Sequence, residues 1–240
     1  MTLSVDLSAV PPPSLGAFVY PEVLEGTFVS RPNRFVALVD GPEGRVVCHV
    51  KNTGRCRELL LPGARVVLAR GRQPKRKTAY DLIAVYKGSM LVNLDSQAPN
   101  HVALPWLQAR YPQAQVCREV AFGNSRLDFH VQGPEFSLYV EAKGCTLEQD
   151  GLALFPDAPT ERGIKHLHSL MRCVQQGHQA MALFVIQMKP VTAFSPHDAM
   201  HPAFGQALRQ AAQAGVQVVA YDCLVQPHWL SLDAPVPVLL

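Results

Sequence analysis

Asp128, Glu141 and Lys143 lie in two runs that alternate apolar and polar residues, Ser125–Val131 and Phe136–Lys143, joined by Gly133-Pro134-Glu135. At a strand period of two, Tyr139, Glu141 and Lys143 share one face of the second run, opposite Leu138, Val140 and Ala142. The first run groups Arg126, Asp128 and His130 against Leu127, Phe129 and Val131 in the same way. A hairpin symmetric about the Pro134–Glu135 bond sets Asp128 opposite Glu141, Arg126 opposite Lys143 and His130 opposite Tyr139. Directly opposed side chains have Cβ atoms about 4.5–5.5 Å apart. Two like charges at about 5 Å repel by about 3 kcal/mol at an effective dielectric of about 20, so the carboxylate pair needs compensation. A hard divalent cation, Mg²⁺ or Mn²⁺, supplies it, because Mg²⁺ takes one or two carboxylates and completes its shell with water and substrate phosphate oxygens. Lys143 beside it could hold or activate the water that attacks phosphorus. The alternative is a four-charge square in which Arg126 and Lys143 cross-pair with Asp128 and Glu141 on a solvated face. Spacing leaves both open. Glu119, on the preceding strand, is either a third carboxylate or an exposed charge.

The elements that must position these residues follow from pattern and punctuation. The chain of 240 residues is 48% hydrophobic and 17% charged, which excludes disorder, fibrous repeats and a small disulfide scaffold and leaves one or two globular domains. Short segments rich in Val, Leu, Phe and Tyr (Gly26–Val29, Phe35–Val39, Arg45–Val50, Arg65–Ala69, Thr78–Tyr86 and Ser89–Leu94) are separated by Gly, Pro, Asn and Asp signals. Such a succession suggests a small barrel. Only Gly54–Leu61 has room for a turn or two of helix. Beyond Pro99 the order becomes helix (Asn100–Ala109), strands at 115–122, 125–131 and 136–143, helix (Thr160–Gln176), strand (Ala180–Gln187), helix (His201–Ala214) and strand (Val216–Cys223), an α/β sandwich. In the second helix Ile164, Leu167, Met171 and Val174 fall on one face, and Gly177 is the expected stop. Its start is Pro159 at the first helical position or Thr160 as N-cap. His166 and His168 point to different faces of this helix and do not suit a shared metal. The expected organisation is a lead over 1–19, a barrel over 20–97 and a second domain over 98–240.

The charges divide at that boundary. Residues 1–98 carry 13 basic and 8 acidic side chains, and residues 99–240 carry 9 basic and 11 acidic ones. The densest cations are Arg70, Arg72, Lys75, Arg76 and Lys77, on a loop followed by Tyr80 and Tyr86. Loop cations beside aromatic strand residues are how OB barrels track a phosphate backbone and stack bases; a solvated turn is the plain alternative. Lys51, Asn52, Thr53 and Arg55 add donors on another loop. Thr160, Arg162 and Lys165 stand at a helix N-terminus, where phosphates are favoured. A nucleic acid, DNA or RNA, is the partner this pattern suits. No apolar helix face accompanies the cations as a membrane surface would require, and the longest apolar run, Met181–Ile186, is far short of a span. Six cysteines are spread singly without a C-x-x-C pair, and Asp6 with Pro11–Pro13 is unlike a secretory signal, so a reducing, cytoplasmic setting is expected.

An acid followed about a dozen residues later by Glu-x-Lys resembles the metal-dependent nuclease superfamily named for its PD-(D/E)xK motif. Four longer stretches are more specific: His49-Val-Lys-Asn-Thr-Gly-Arg-Cys56, Ser125-Arg-Leu-Asp-Phe129, Glu141-Ala-Lys-Gly144 and Phe155-Pro-Asp-Ala-Pro-Thr-Glu-Arg-Gly-Ile-Lys-His166. Together they resemble the bacterial sugar fermentation stimulation protein family over nearly the whole chain after residue 20. The resemblance implies an α+β / α/β chain, with an N-terminal OB-like β-barrel followed by a nuclease-like α/β domain whose mixed sheet is flanked by helices. It also implies nonspecific DNA binding and a role in regulating sugar metabolism. Carried over by position, Asp128 and Glu141 are metal ligands, Lys143 the catalytic lysine and Glu119 an auxiliary acid. Leu127, not proline, precedes Asp128, and the literal Pro156-Asp157 follows Glu-x-Lys, so it is not the motif's acid. Two functions fit: a Mg²⁺-dependent nuclease, or a catalytically inactive DNA-binding regulator on the same scaffold.

Overall fold

The computed structural model describes residues 16–52, 54–71 and 76–240. Thr53, Arg72, Lys75 and residues 1–15 of the expected lead lie outside the described residues. The end of the lead is docked: β1 (Phe18–Val19) pairs with the last strand of the chain, Phe18 opposite Leu230. The barrel follows as β2 (Val23–Asn33), β3 (Val36–Gly41), β4 (Gly44–Val50), β5 (Arg65–Arg70) and β6 (Tyr80–Lys87), with β7 (Met90–Asn93) extending it as a hairpin. Parallel pairing of β4 with β6 closes the five strands in the order β2-β3-β4-β6-β5, the OB arrangement.

Closure depends on β2. Val23–Thr27 pairs with β5 and Thr27–Asn33 with β3, with register shifts after Phe28 and Ser30. Bulges of this kind bend and twist a strand. Gly26 sits at the bend because a Cβ there would lie 2.9 Å from the carbonyl oxygen of Asp40. Phe28, Ala37, Val39, Cys48, Val50, Val66, Leu68 and Leu82 fill the interior. The helix allowed for in 54–61 is a turn instead, with the amides of Leu59 and Leu60 both bonded to the carbonyl of Cys56.

The second half runs α1 (Ala98–Arg110), β8 (Gln115–Phe122), β9 (Ser125–Gln132), β10 (Ser137–Cys145), β11 (Leu147–Gln149), β12 (Leu152–Phe155), α2 (Glu161–Gln175), β13 (Gln179–Ile186), β14 (Ala193–Pro196), α3 (Pro202–Gln213), β15 (Gln217–Gln226) and β16 (Trp229–Val236). Seven strands form one mixed sheet, β1-β16-β15-β13-β10-β9-β8, whose centre, β10-β13-β15, is parallel. Helix α1 covers one face, burying Val102, Ala103 and Leu107 against Phe129, Val131, Leu138 and Val140. Helices α2 and α3 cover the other, which is why β13 between them is buried from Ala180 to Ile186. Thr160 is the N-cap of α2, its Oγ1 accepting the Gly163 amide at 3.0 Å. No helix of the described residues is long and apolar enough to cross a membrane.

A buried polar network joins the halves. Asp95 is 0% exposed and accepts from Lys51 Nζ at 2.7 Å, Tyr20 Oη at 3.2 Å and the Gln97 amide at 2.9 Å. Gln187 Nε2 reaches Asn93 Oδ1 at 2.9 Å and the Asp95 carbonyl at 3.0 Å. Gln187 also crowds Gly144 on β10, where a Cβ would lie 2.3 Å from its Oε1 and 2.8 Å from Pro99 Cγ. The junction is thereby packed against the strand that carries Glu141 and Lys143.

Candidate functional site

The β9–β10 hairpin has the expected register, Tyr139 opposite His130 and Val140 opposite Phe129, but the ladder stops there. Beyond Val140, β10 continues on β13 alone. On the other side, β8 pairs Arg118 with Phe129 and Val120 with Leu127, leaving Glu119 and Asp128 out of the ladder. Asp128 therefore sits in a gap on both edges, and its side chain fills one of them: Oδ2 accepts the Ala142 amide at 2.9 Å, while Oδ1 accepts from Asn100 Nδ2 on α1 at 2.9 Å. The gap also reverses the strand. Ser125 bonds Ser169 of α2 at 2.7 Å and Leu127 packs in the α2-side core, whereas Phe129 and Val131 pack under α1. The strict alternation expected from Ser125 to Val131 is thus broken at Asp128, because an unpaired, irregular residue lets the following side chains change face.

Glu119 does not join Asp128. Its φ of 53° lies in the left-handed region, and its carboxylate turns outward to Arg126, 3.8 Å from Nε, both side chains exposed. The four-charge square is not formed, because Arg126 turns to Glu119; of its pairs, Lys143 with Glu141 is present.

Glu141 is 3% exposed and faces α2. Its Oε1 accepts from Lys143 Nζ and from His166 Nδ1. Burial opposes ionisation of Glu141, but the His166 hydrogen bond and the Lys143 charge outweigh it and hold the carboxyl below the usual range. Asp128 shifts the opposite way, raised first by burial and then by the neighbouring Glu141 charge, with Lys143, Asn100 and the Ala142 amide only partly offsetting them. Glu141 Oε2 is buried without a hydrogen-bond partner. A buried orphan oxygen beside a second desolvated carboxylate suits a hard cation. Among the described residues no three Asp, Glu, His or Cys side chains converge on one ion position; the two carboxylates are the protein ligands on offer, and Mg²⁺ is an ion that takes one or two.

Lys143 opens onto a cleft of about 1110 Å³ between barrel and second domain. The barrel contributes Arg34, Asn52, Arg55 and Arg57, and the segment after β12 contributes Asp157, Thr160 and Arg162. Arg31 shapes the barrel wall, its guanidinium donating to the carbonyls of Asn52 at 2.8 Å, Gly54 at 3.0 Å, Arg55 at 2.8 Å and Arg34 at 2.6 Å. Among the described residues Asp157 is the one carboxylate lining the cleft, and burial pushes its carboxyl up. The cleft is accordingly cationic and suited to a polyanion.

The expected cations do not form one surface. Asn52, Arg55, Thr160 and Arg162 share this cleft, but Lys51, Arg70 and Arg76 border a second one of about 510 Å³ with His49 and Phe18. There Lys51 is held by Asp95, Arg76 donates to Asp81 at 2.9 Å, and Arg70 faces Glu22 at 3.5 Å. Lys77 is exposed, and Lys165 donates to the Asn124 carbonyl at 3.0 Å outside the main cleft lining. The stacking expected of Tyr86 is blocked, because the Arg65 guanidinium covers its ring at 3.7 Å while its hydroxyl donates to Glu25 at 2.9 Å. Tyr80 packs on the barrel core.

Sequence reasoning missed Asn100, the cleft arginines Arg31, Arg34 and Arg57, and His166. The buried face of α2 is centred on Gly163, His166, Leu170 and Cys173 rather than on Ile164, Met171 and Val174. A histidine within a row of small and apolar residues was the available signal.

Two family models match the chain. The one described as the SfsA N-terminal OB domain covers residues 29–94, and the one described as the sugar fermentation stimulation protein RE domain covers residues 97–229. The chain is 50% identical over 208 residues to a sugar fermentation stimulation protein homolog of Desulfitobacterium hafniense (strain Y51), spanning 86% of this chain and 91% of that one. It is 45% identical over 224 residues to the homolog of Clostridium beijerinckii, spanning 92% and 99%. SfsA of Pyrococcus furiosus, solved in complex with Ca²⁺, matches the fold with a TM-score of 0.84 at 25% identity, covering 93% of this chain and 98% of that one.

Proposed function

The chain belongs to the sugar fermentation stimulation protein family, and from that premise we propose that it is a DNA-binding protein whose Asp128, Glu141 and Lys143 form a Mg²⁺-dependent phosphodiesterase centre. The observation that carries this reading is the placement of Lys143 at once on Glu141 and in the cationic cleft. Phosphates drawn to Arg34, Arg55, Arg57 and Arg162 would come to rest beside Lys143, whose ammonium is bonded to Glu141, and phosphoryl transfer depends on such positioning. A divalent cation held by Asp128 and Glu141 would supply neutralisation of the charge developing on the phosphoryl oxygens. Asp128 is held for that task by Asn100 and the Ala142 amide. Lys143, anchored on Glu141 Oε1, presents its remaining N–H donors to a phosphate oxygen or to the attacking water. The Ca²⁺ complex of the Pyrococcus furiosus relative supports the reading, since Ca²⁺ and Mg²⁺ share a preference for oxygen ligands. RNA offers the same backbone charge and is an alternative substrate.

The second reading, an inactive DNA-binding regulator of sugar metabolism on the same scaffold, draws on the occupation of Glu141 Oε1 by both Lys143 and His166. The experiment that separates the two is cleavage of single- and double-stranded DNA and RNA with Mg²⁺ or Mn²⁺, wild type against Asp128→Ala and Lys143→Ala. Metal-dependent cleavage lost in both variants supports the enzyme. Intact DNA binding without cleavage in the wild type selects the regulator.

A further inference from the structure

Three groups on α2 and β10 meet at one atom. Glu141 Oε1 accepts from Lys143 Nζ and from His166 Nδ1, and the two donors, sharing one oxygen, come within 3.2 Å of each other. The other ring nitrogen of His166, Nε2, lies 3.4 Å from Arg162 Nε, which can only donate. With Nε2 accepting from Arg162, the ring proton is assigned to Nδ1, the nitrogen that faces Glu141, and the Lys143 ammonium is assigned to Oε1 rather than to the ring. His166 is 6% exposed, so neither contact is readily exchanged for water.

From this we infer that His166 is a positioning residue: it clamps Glu141 through Oε1 and so reserves Oε2 as the ligand atom for the divalent ion. The inference rests on the metal reading above and extends it to an α2 residue. Lys143 alone would be a poor clamp, because its four-carbon stem is flexible and its ammonium also faces the cleft. The imidazole comes from a helix fixed by the Thr160 cap and tied to β9 through Ser169 and Ser125. Both carboxylate-bearing strands are thereby referenced to the same helix. A partner of this kind, outside the ion's own ligands, sets ligand orientation, and its loss costs about 10–100-fold in metal affinity.

The test is calorimetric titration of the full chain with Mn²⁺ and with Ca²⁺, wild type against His166→Leu and His166→Asn. Leucine removes the donor; the asparagine amide nitrogen occupies roughly the Nδ1 position and keeps it. The inference expects affinity about 10–100-fold lower for His166→Leu and largely restored for His166→Asn. The ring ¹⁵N signals of wild-type His166 should show a protonated Nδ1 and an unprotonated Nε2, a measurement that stands even if the leucine variant does not fold. Wild-type affinity in His166→Leu, affinity as low as leucine's in His166→Asn, or a protonated Nε2 overturns the inference and leaves the metal reading intact. A wild type that binds neither ion overturns the metal reading and this inference with it.

Discussion

The carboxylate of Asp128 accepts the amide of Ala142 at 2.9 Å, two residues past Val140 in the last β9–β10 pair, so a side chain completes a ladder that the backbone leaves unfinished. Removing it therefore has two consequences. In Asp128→Ala the Ala142 amide loses its acceptor, at about 1–3 kcal/mol for a buried unsatisfied group. Asp128→Asn keeps one oxygen for that amide, and its new amide donor is met if the Asn100 side chain flips. Denaturant midpoints should fall for alanine and change little for asparagine, while both variants lose divalent-ion binding in calorimetry.

Salt dependence should distinguish the two cationic surfaces. Each phosphate neutralised contributes about 0.9 to the slope of log affinity against log salt on duplex DNA. Arg55→Gln and Arg57→Gln, in the main cleft, are expected to weaken DNA binding and each to flatten the slope by about one. Arg70→Gln and Lys77→Gln should alter neither by more than a fraction of that. The reverse ranking, measured by fluorescence anisotropy over a salt series, would move the binding surface to the second cleft.

Asp81 gives the barrel a pH dependence. Burial opposes its ionisation, but Arg76, with His49 and Lys51, holds its carboxyl below the usual aspartate range. A depressed folded-state value means stabilisation that is complete above the unfolded pKa and lost as pH falls through the folded one. Thermal melts should therefore show wild type more stable than Asp81→Asn near neutrality, with the gap closing below about pH 4. A gap that widens on acidification would contradict the assignment.

Lys51 ties the domain junction together through Asp95. Lys51→Met leaves Asp95, at 0% exposure, without its counter-charge, and breaking a buried pair costs about 3–5 kcal/mol. Thermal unfolding should show a large loss of stability. Salt-dependent DNA affinity, measured well below the transition, should keep its slope. A variant as stable as wild type would show that Tyr20 and the Gln97 amide satisfy the carboxylate on their own.

Much of this molecule was legible from short-range pattern. The barrel strands, the three helices and the β9–β10 register follow from alternation, helical period and turn residues, all properties of adjacent sequence. β16 was not legible, because Asp233 and Pro235 are residue types depleted in strands. Pro235 is tolerated because β1 covers only Trp229 and Leu230, leaving the outer edge of the strand free beyond them among the described residues. β11, β12 and β14 were missed for their shortness, yet β12 leads into the segment that carries Asp157 and Arg162 to the cleft.

Local chemistry alone placed Asp128, Glu141 and Lys143 on neighbouring strands, since residue spacing and one turn determine a hairpin. Only the tertiary structure decided what each of them meets. β10 leaves β9 for β13 after Val140, Asp128 falls in the gap, α2 brings His166 to Glu141, and the Asn93–Asp95–Gln187 junction sets the barrel so that Arg34, Arg55 and Arg57 face Lys143. Each of these is a contact between segments distant in the chain. Its energy depends on burial and hydrogen bonding that exist only once both segments are in place, and no local period encodes it.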